Sequence, residues 1–336
     1  MSATIATLSE RALVERIRAR ASTRAPHIII GIGDDAAVIE PERGSAQVVT
    51  TDALIEHIHF RRDWTPASAI GHKALAVNLS DLAAMGATPR ASLLSLAMPA
   101  DFPLDDFDAL VEGFARLATA SGSVLIGGNL TRSPGPLMVD ATVLGHVRRR
   151  RVLRRDAARA GDEFYVTGAP GSAAVGLAVL QSGTPRDGLD AALDACVLRY
   201  ERPDARWRAA SVVARSGASV AAMDLSDGLA DAARQMADAS RVGVVIDRAL
   251  LPISTGVTTW ASRSGRSAPD IVLAGGEDYE LAFAVRPRQR RRFLAAMRRS
   301  PDLPVTRVGR FVAEPGAWLE SDGVRTPLPS GFSHFS

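Results

Sequence analysis

The sequence predicts an α+β protein of two domains, and three observations lead there. The chain has 336 residues, 46% of them hydrophobic, enough to bury two cores of ordinary size. Strand-like apolar runs and apolar residues at helical spacing both occur, without the strict strand–helix beat of a doubly wound fold. An arginine run followed by Ala160-Gly161-Asp162 interrupts the pattern near residues 146 to 160, so residues 1–147 and 148–336 read as the two domains.

The elements follow in order. His27 to Ile30 reads as a strand entering the Gly31-Ile32-Gly33 turn, and Gln47 to Thr51 as a strand ending at Asp52. Pro66 opens a helix to about Met85, stopped by Gly86 and Pro89. Phe107, Leu110, Val111, Phe114, Leu117 and Ala118 recur at helical spacing, and Gly122 closes that helix. Strands near Val124 to Ile126 and Met138 to Leu144 flank Gly127-Gly128-Asn129. In the second domain Phe164 to Thr167 is a strand, and Gly168 to Gly171 turns into an apolar helix ending near Gly183, before a polar loop over residues 183–190. Asp224 ends another strand, Asp227 begins a helix reaching about Ser240, and Asp322-Gly323 marks a hairpin turn.

Composition excludes several classes. The 23% of charged residues is that of a folded, water-facing chain. Met1 to Arg20 mixes charge into its apolar residues and lacks the core of a secretory signal, and no run reaches the roughly 18 to 20 apolar residues of a membrane helix. The single Cys196 excludes an internal disulfide and a cysteine-built metal site, so the expectation is a cytoplasmic protein without membrane partners. Lys73 is the only lysine among 40 basic residues. The cluster Arg148 to Arg151 with Arg154 and Arg155 is either a solvated linker or a source of charge for ligand phosphates. Aromatic residues do not interleave with it, which argues against nucleic acid.

Six short stretches set acids or amides beside glycine, serine or threonine: Gly31 to Ala36, Thr50 to Asp52, Asn78 to Asp81, Gly127 to Asn129, Asp224 to Gly228 and Gly275 to Glu280. Carboxylates and hydroxyls are the hard oxygen donors preferred by magnesium, and glycine lets a backbone approach a phosphate closely. No Walker phosphate loop, protein-kinase loop or complete dinucleotide fingerprint is present, and Asp34 and Asp35 would repel a pyrophosphate unless a cation intervened. Blander roles compete at each place. Asp34 and Asp35 suit an Asx turn, Ser226 or Asp227 a helix cap, and Glu277, Asp278 and Glu280 a solvated loop. Asp81, on an otherwise apolar helix, needs a cation partner, a polar cleft or the surface.

Taken together, the stretches GIGDDAAVI, TTDALIEHIHF, GHKALAVNLSDLAAMGATP, IGGNLTRSPGP, FYVTGAPGSAAVGLAVL, MDLSDGLADA and GGEDYELAF resemble the thiamine-monophosphate kinase family, of the superfamily typified by aminoimidazole-ribonucleotide synthetase. The match runs from about residue 28 to Gly331-Phe332. The resemblance implies an N-terminal mixed-sheet domain that forms a homodimer, a C-terminal α+β domain, and ATP held with several magnesium ions in a cleft between them. It implies metal ligation by Asp35, Thr50, Thr51, Asp52, Asp81, Asn129, Asp224 and Asp227. It also implies ATP contacts from Gly128, Asn129, Arg155 and Ser226, and thiamine monophosphate contacts from His59, Glu277 and Phe332, with Phe332 stacking on a substrate ring.

Two departures stand out. Asn129 occupies the place of an aspartate in the family's Gly-Gly-Asp-Thr-Thr, and Arg155-Asp156-Ala157-Ala158 replaces its Arg-Ser-Gly-Ala. The implied reaction moves the ATP γ-phosphate onto thiamine monophosphate. That acceptor is already mostly dianionic at neutral pH, so no general base is expected. The alternatives are a divergent superfamily enzyme with another substrate, or a weakened protein that binds ATP or thiamine phosphate. A motif-bound cysteine, which selenide or carbamoyl chemistry would call for, is missing.

Overall fold

Eleven-residue strands organise the N-terminal part of the computed structural model, which describes residues 3–21, 23–218 and 220–329. The chain divides into two units: residues up to Leu82 with Thr88–Arg149, and Ala83–Ala87 with the residues from Arg150 onward.

The first unit opens with α1 (Glu10–Arg20), capped by the Ser9 hydroxyl accepting from Ala12 N, and a short antiparallel pair, β1 (Ile28–Ile30) and β2 (Val38–Ile39). Then come β3 (Ser45–Ile55), α2 (Ala67–Ala84), β4 (Thr88–Met98), α3 (Leu104–Ser121), β5 (Val124–Arg132) and β6 (Met138–Arg148). The last four strands form a sheet ordered β3-β6-β4-β5, with β4 and β5 parallel and the other pairs antiparallel. Period-2 alternation gives it two faces. Val139, Ala141, Val143, Leu94, Leu96 and Met98 are buried on the face that carries the helices. Val49 and Met138 lie on the other face, 59% and 37% exposed. Part of that face is covered by Ile28 and Ile39, which pack on Ala91, Val124 and Ile126. α2 and α3 touch backbone to backbone: a Cβ on Gly71 would stand 1.9 Å from Leu110 O, and one on Gly113 1.9 Å from Ser68 O. Gly122 ends α3 at φ 75°, a left-handed cap natural to glycine.

Two strands run further than the sequence suggested. β3 continues past Asp52 because β6 pairs with it as far as Ile55 opposite Met138, so Thr50 to Asp52 lie mid-strand. β5 runs through Gly127-Gly128-Asn129 rather than stopping before it. A bulge between Ser92 and Leu93 re-registers the ladder, and Gly128 sits so close to β4 that a Cβ would be 1.8 Å from Leu94 O.

The second unit contains β7 (Glu163–Thr167), α4 (Ser172–Gln181), α5 (Ala191–Glu201), α6 (Trp207–Ser216), β8 (Val220–Asp224), α7 (Leu229–Ser240) and β9 (Gly243–Asp247). α8 (Thr255–Ser264), α9 (Ala268–Ala274), β10 (Leu281–Val285), α10 (Arg290–Met297), β11 (Val305–Val312), β12 (Gly316–Ser321) and β13 (Val324–Pro327) follow. Its seven strands are ordered β13-β12-β9-β11-β7-β10-β8, antiparallel except for β12 beside β9. Every residue of β7, β8 and β10 is buried, because helices cover both faces. Phe164, Val166, Ala221, Met223, Ala282 and Ala284 face the core with α4, α5 and α7 to α9. Tyr165, Val220, Ala222, Leu281 and Phe283 face the core with α6 and α10. β12 and β13 meet across Asp322 and Gly323, at φ 51° and 80°, the left-handed pair of a tight hairpin.

Candidate functional site

In the first unit, strand alternation sorts three neighbouring candidates. Thr50 and Asp52 stand opposite the helix-facing Val143 and Ala141 of β6, whereas Thr51 stands opposite Thr142 on the other face. Thr50 Oγ1 donates to Asp81 Oδ2, which joins the β3 and α2 candidates directly. Thr51 Oγ1 lies 3.0 Å from Thr142 Oγ1 and 3.3 Å from Ala141 O. Thr50, Asp52 and Asp81 are all half-buried, which leaves their oxygens reachable. Asp34 and Asp35 divide their work: Asp34 Oδ1 accepts from Asp35 N at 2.8 Å and braces the turn, and the exposed Asp35 side chain is not used by it. Gly128 and Asn129 are exposed on β5, with Asn129 opposite Ser95. Among the described residues, no three His, Cys, Asp or Glu side chains gather as a metal cluster. The donor set that does assemble mixes hydroxyl and carboxylate, a combination suited to magnesium.

His59 sits in the turn after β3. Its Nδ1 accepts from Ile55 N at 3.0 Å, so the neutral ring carries its proton on Nε2 and offers that N–H as a donor. Lys73, 1% exposed on α2, donates from Nζ to His59 O at 3.2 Å. No phosphate loop surrounds Lys73 in the sequence, so no local motif marks it. Its isolation among the arginines was the available signal.

In the second unit, the β8 terminus and the loop before β10 run side by side. Asp224 is 7% exposed and faces Leu281 in the ladder. Beyond it, Leu225 N donates to Glu280 O at 2.8 Å, Glu277 N to Ser226 O at 2.6 Å and Tyr279 N to Leu225 O at 3.0 Å. Ser226, Asp227 and Glu277 are thus held together, with Ser226 Oγ 3.2 Å from Asp227 Oδ2. α7 begins just after, at Leu229, so Asp227 precedes the helix rather than opening it. The loop is bent hard: Glu277 and Tyr279 have φ of 65° and 51°, left-handed for residues with side chains.

The three acids of this loop are not alike. Glu277 is half-buried, but Asp278 and Glu280 are each 1% exposed. Asp278 accepts from Gly171 N at 2.5 Å and Ala173 N at 2.9 Å, capping α4 from a distant part of the chain. Burial pushes its carboxyl up to about 7 in spite of those two N–H groups, and Glu280 adds to the rise. Glu280 accepts from Arg199, Arg206 and Thr167. The solvated-loop reading therefore fails for Asp278 and Glu280. Neither acid reaches water; each satisfies groups far away in sequence.

Arg155 is exposed and donates to Gln235 of α7 at 2.7 Å. Asp156, one of the two departures, ion-pairs with Arg154 and leaves Arg155 to α7. Phe332 lies outside the described residues. No helix among the described residues is long and apolar enough to cross a membrane.

Residues 33–147 match the AIR synthase related protein, N-terminal domain, and residues 159–320 the AIR synthase related protein, C-terminal domain. A thiamine-monophosphate kinase of Rhodopirellula baltica is 34% identical over 336 residues, covering 97% of both chains. The crystal structure of thiamine-monophosphate kinase from Stenotrophomonas maltophilia is 39% identical and superposes with a TM-score of 0.83 over 94% of this chain and 98% of that one. A structure of AaThiL complexed with AMPPCP and TMP is 31% identical, with a TM-score of 0.77 over 90% of this chain and 92% of its own.

Proposed function

The chain belongs to the thiamine-monophosphate kinases of the AIR synthase related family, and on that footing we propose that it phosphorylates thiamine monophosphate with ATP, yielding thiamine diphosphate and ADP. The observation that carries the reading is the relative held with AMPPCP and TMP, a pairing of ATP analogue and acceptor on the same fold. Because the acceptor phosphate is itself the nucleophile, the protein has to align two anions and offset their repulsion rather than remove a proton.

The residues fit that task. The hydroxyl–carboxylate pair of Thr50 and Asp81, with Asp52 on the same face, supports magnesium binding in the first unit. Asp35, Thr51 and Asn129 are the other proposed ligands there, and Asp224 and Asp227 those of the second unit. Magnesium would supply charge screening between the phosphates. Gly128, Asn129, Ser226 and Arg155 are assigned to the nucleotide. His59, locked with its proton on Nε2, is a fixed donor for an anionic oxygen of thiamine monophosphate, joined by Glu277 and Phe332. A homodimer through the open sheet face of Val49 and Met138, in an ATP-supplied reducing cytoplasm that suits a single buried cysteine, completes the proposal.

The test is ADP release coupled to a chromogenic assay, with thiamine monophosphate, ATP and magnesium supplied and thiamine diphosphate identified by chromatography. The proposal predicts ADP and thiamine diphosphate in equal amounts. Tight binding of both substrates without ADP would refute it.

A further inference from the structure

We propose that Glu280 is a positioning residue for the acceptor: clamped by Arg199, Arg206 and Thr167, it fixes the bent loop that presents Glu277. This rests on the assignment of Glu277 to the substrate.

The geometry is specific. Glu280 Oε1 takes Arg199 Nη2 at 2.9 Å, and Oε2 takes Arg206 Nε at 2.8 Å and Thr167 Oγ1 at 2.6 Å. Arg206 Nη2 also reaches Oε1, making a two-pronged grip. Thr167 Oγ1 in turn accepts from Leu281 N at 2.8 Å, tying the clamp to the first residue of β10. A carboxylate at 1% exposure is tolerable only with this degree of pairing. Gly168 leaves the room it needs, since a Cβ there would lie 2.1 Å from Glu280 Oε1.

Three residues upstream, Glu277 holds φ 65° and Tyr279 φ 51°, conformations that persist only where their surroundings over-determine them. Asp278 supplies one anchor, to the start of α4, and Glu280 the other, to α5 and to Arg206 just before α6. α5 contributes twice: Arg199 grips Glu280, and the buried phenol of the next residue, Tyr200, is pushed up by burial and then by the charge of Glu277. With the carboxylate of Glu280 clamped and Asp278 buried, Glu277 is the one acid of the three left partly exposed, so the clamp acts on acceptor binding through Glu277.

The test is steady-state kinetics on the full-length protein, varying thiamine monophosphate and ATP separately. Glu280→Gln keeps shape but loses the charge that two arginines hold. It should raise the acceptor KM about tenfold and leave the ATP KM within about twofold. Glu277→Gln should raise the same KM, and in Glu277→Gln/Glu280→Gln the second change should add nothing further to it. Arg199→Lys, a milder change at a side chain 24% exposed, should show the same selective KM rise at smaller size, and serves if Glu280→Gln does not fold. An unchanged acceptor KM in Glu277→Gln would overturn the assignment of Glu277. A rise in Glu277→Gln with none in Glu280→Gln or Arg199→Lys, a parallel loss toward both substrates, or multiplicative effects in the double variant would overturn the positioning role.

Discussion

Replacing Asp278 by asparagine should remove a pH dependence of stability whose direction is fixed by burial. The carboxyl is 1% exposed and pushed up to about 7 from an ordinary 3.8. Below the ordinary value both folded and unfolded chains carry the proton, and the side chain is neutral in either state. As pH rises, the unfolded chain releases the proton first, so the wild type loses stability at about 1.4 kcal/mol per pH unit until the folded carboxyl ionises as well. Over about three units the loss approaches 4 kcal/mol. The replacement amide would be neutral throughout and occupies the same volume, at a cost of about 1 kcal/mol because it meets Gly171 N–H and Ala173 N–H with only one acceptor oxygen. The wild type is therefore expected to be the more stable only below about pH 4.5, and Asp278→Asn the more stable by several kcal/mol at pH 8. Trp207, Trp260 and Trp318 all belong to the second unit, so urea unfolding followed by tryptophan fluorescence reports mainly on it. A stability difference that does not move between pH 5 and 8 would refute the reasoning: the α4 N-terminus and Arg199 would then outweigh burial and keep the group ionised throughout.

Gly168→Ala places a Cβ at φ 62° and 2.1 Å from the Glu280 carboxylate, so it should cost about 1–2 kcal/mol for the backbone and more for the displaced acid; a thermal scan with Tm unchanged would contradict this. Asp52→Asn should abolish turnover with an unaltered circular dichroism spectrum, and wild-type activity would remove Asp52 from the magnesium ligands. Asn129→Asp adds an anionic oxygen on β5 and should lower the magnesium concentration for half-maximal rate severalfold; an unshifted magnesium titration would exclude Asn129 as a ligand.

Local chemistry made much of the fold legible. Gly122 and the apolar spacing of Phe107, Leu110 and Phe114 gave α3 to within a few residues, and Asp322-Gly323 gave its hairpin. Where the reading stopped short, partners distant in sequence decided. Nothing near Asp52 announces that β6 will pair with β3 as far as Ile55, and nothing near Gly127 shows that the β4 backbone will press against Gly128. Glycine beside a polar residue signals a turn and a close backbone approach equally well, and here the approach was between strands.

The acids beyond Gly275-Gly276 carry the same lesson into the candidate site. Glu277, Asp278 and Glu280 look equivalent in the sequence, yet two are turned inward by partners about 75 to 115 residues away. Arg199 and Arg206 could not be told from the other basic residues by composition, because arginine fills nearly every basic position in this chain. Arginine nonetheless suits the task, for a planar fork can hold both oxygens of a buried carboxylate where a lysine would hold one. The one lysine, Lys73, is buried as well and donates to the carbonyl oxygen of His59. In each unit a largely buried cation thus stands behind a proposed acceptor residue, Lys73 behind His59 in one and Arg206 behind Glu277 in the other. On those assignments the charges would supply rigidity at the acceptor contacts rather than extra contacts.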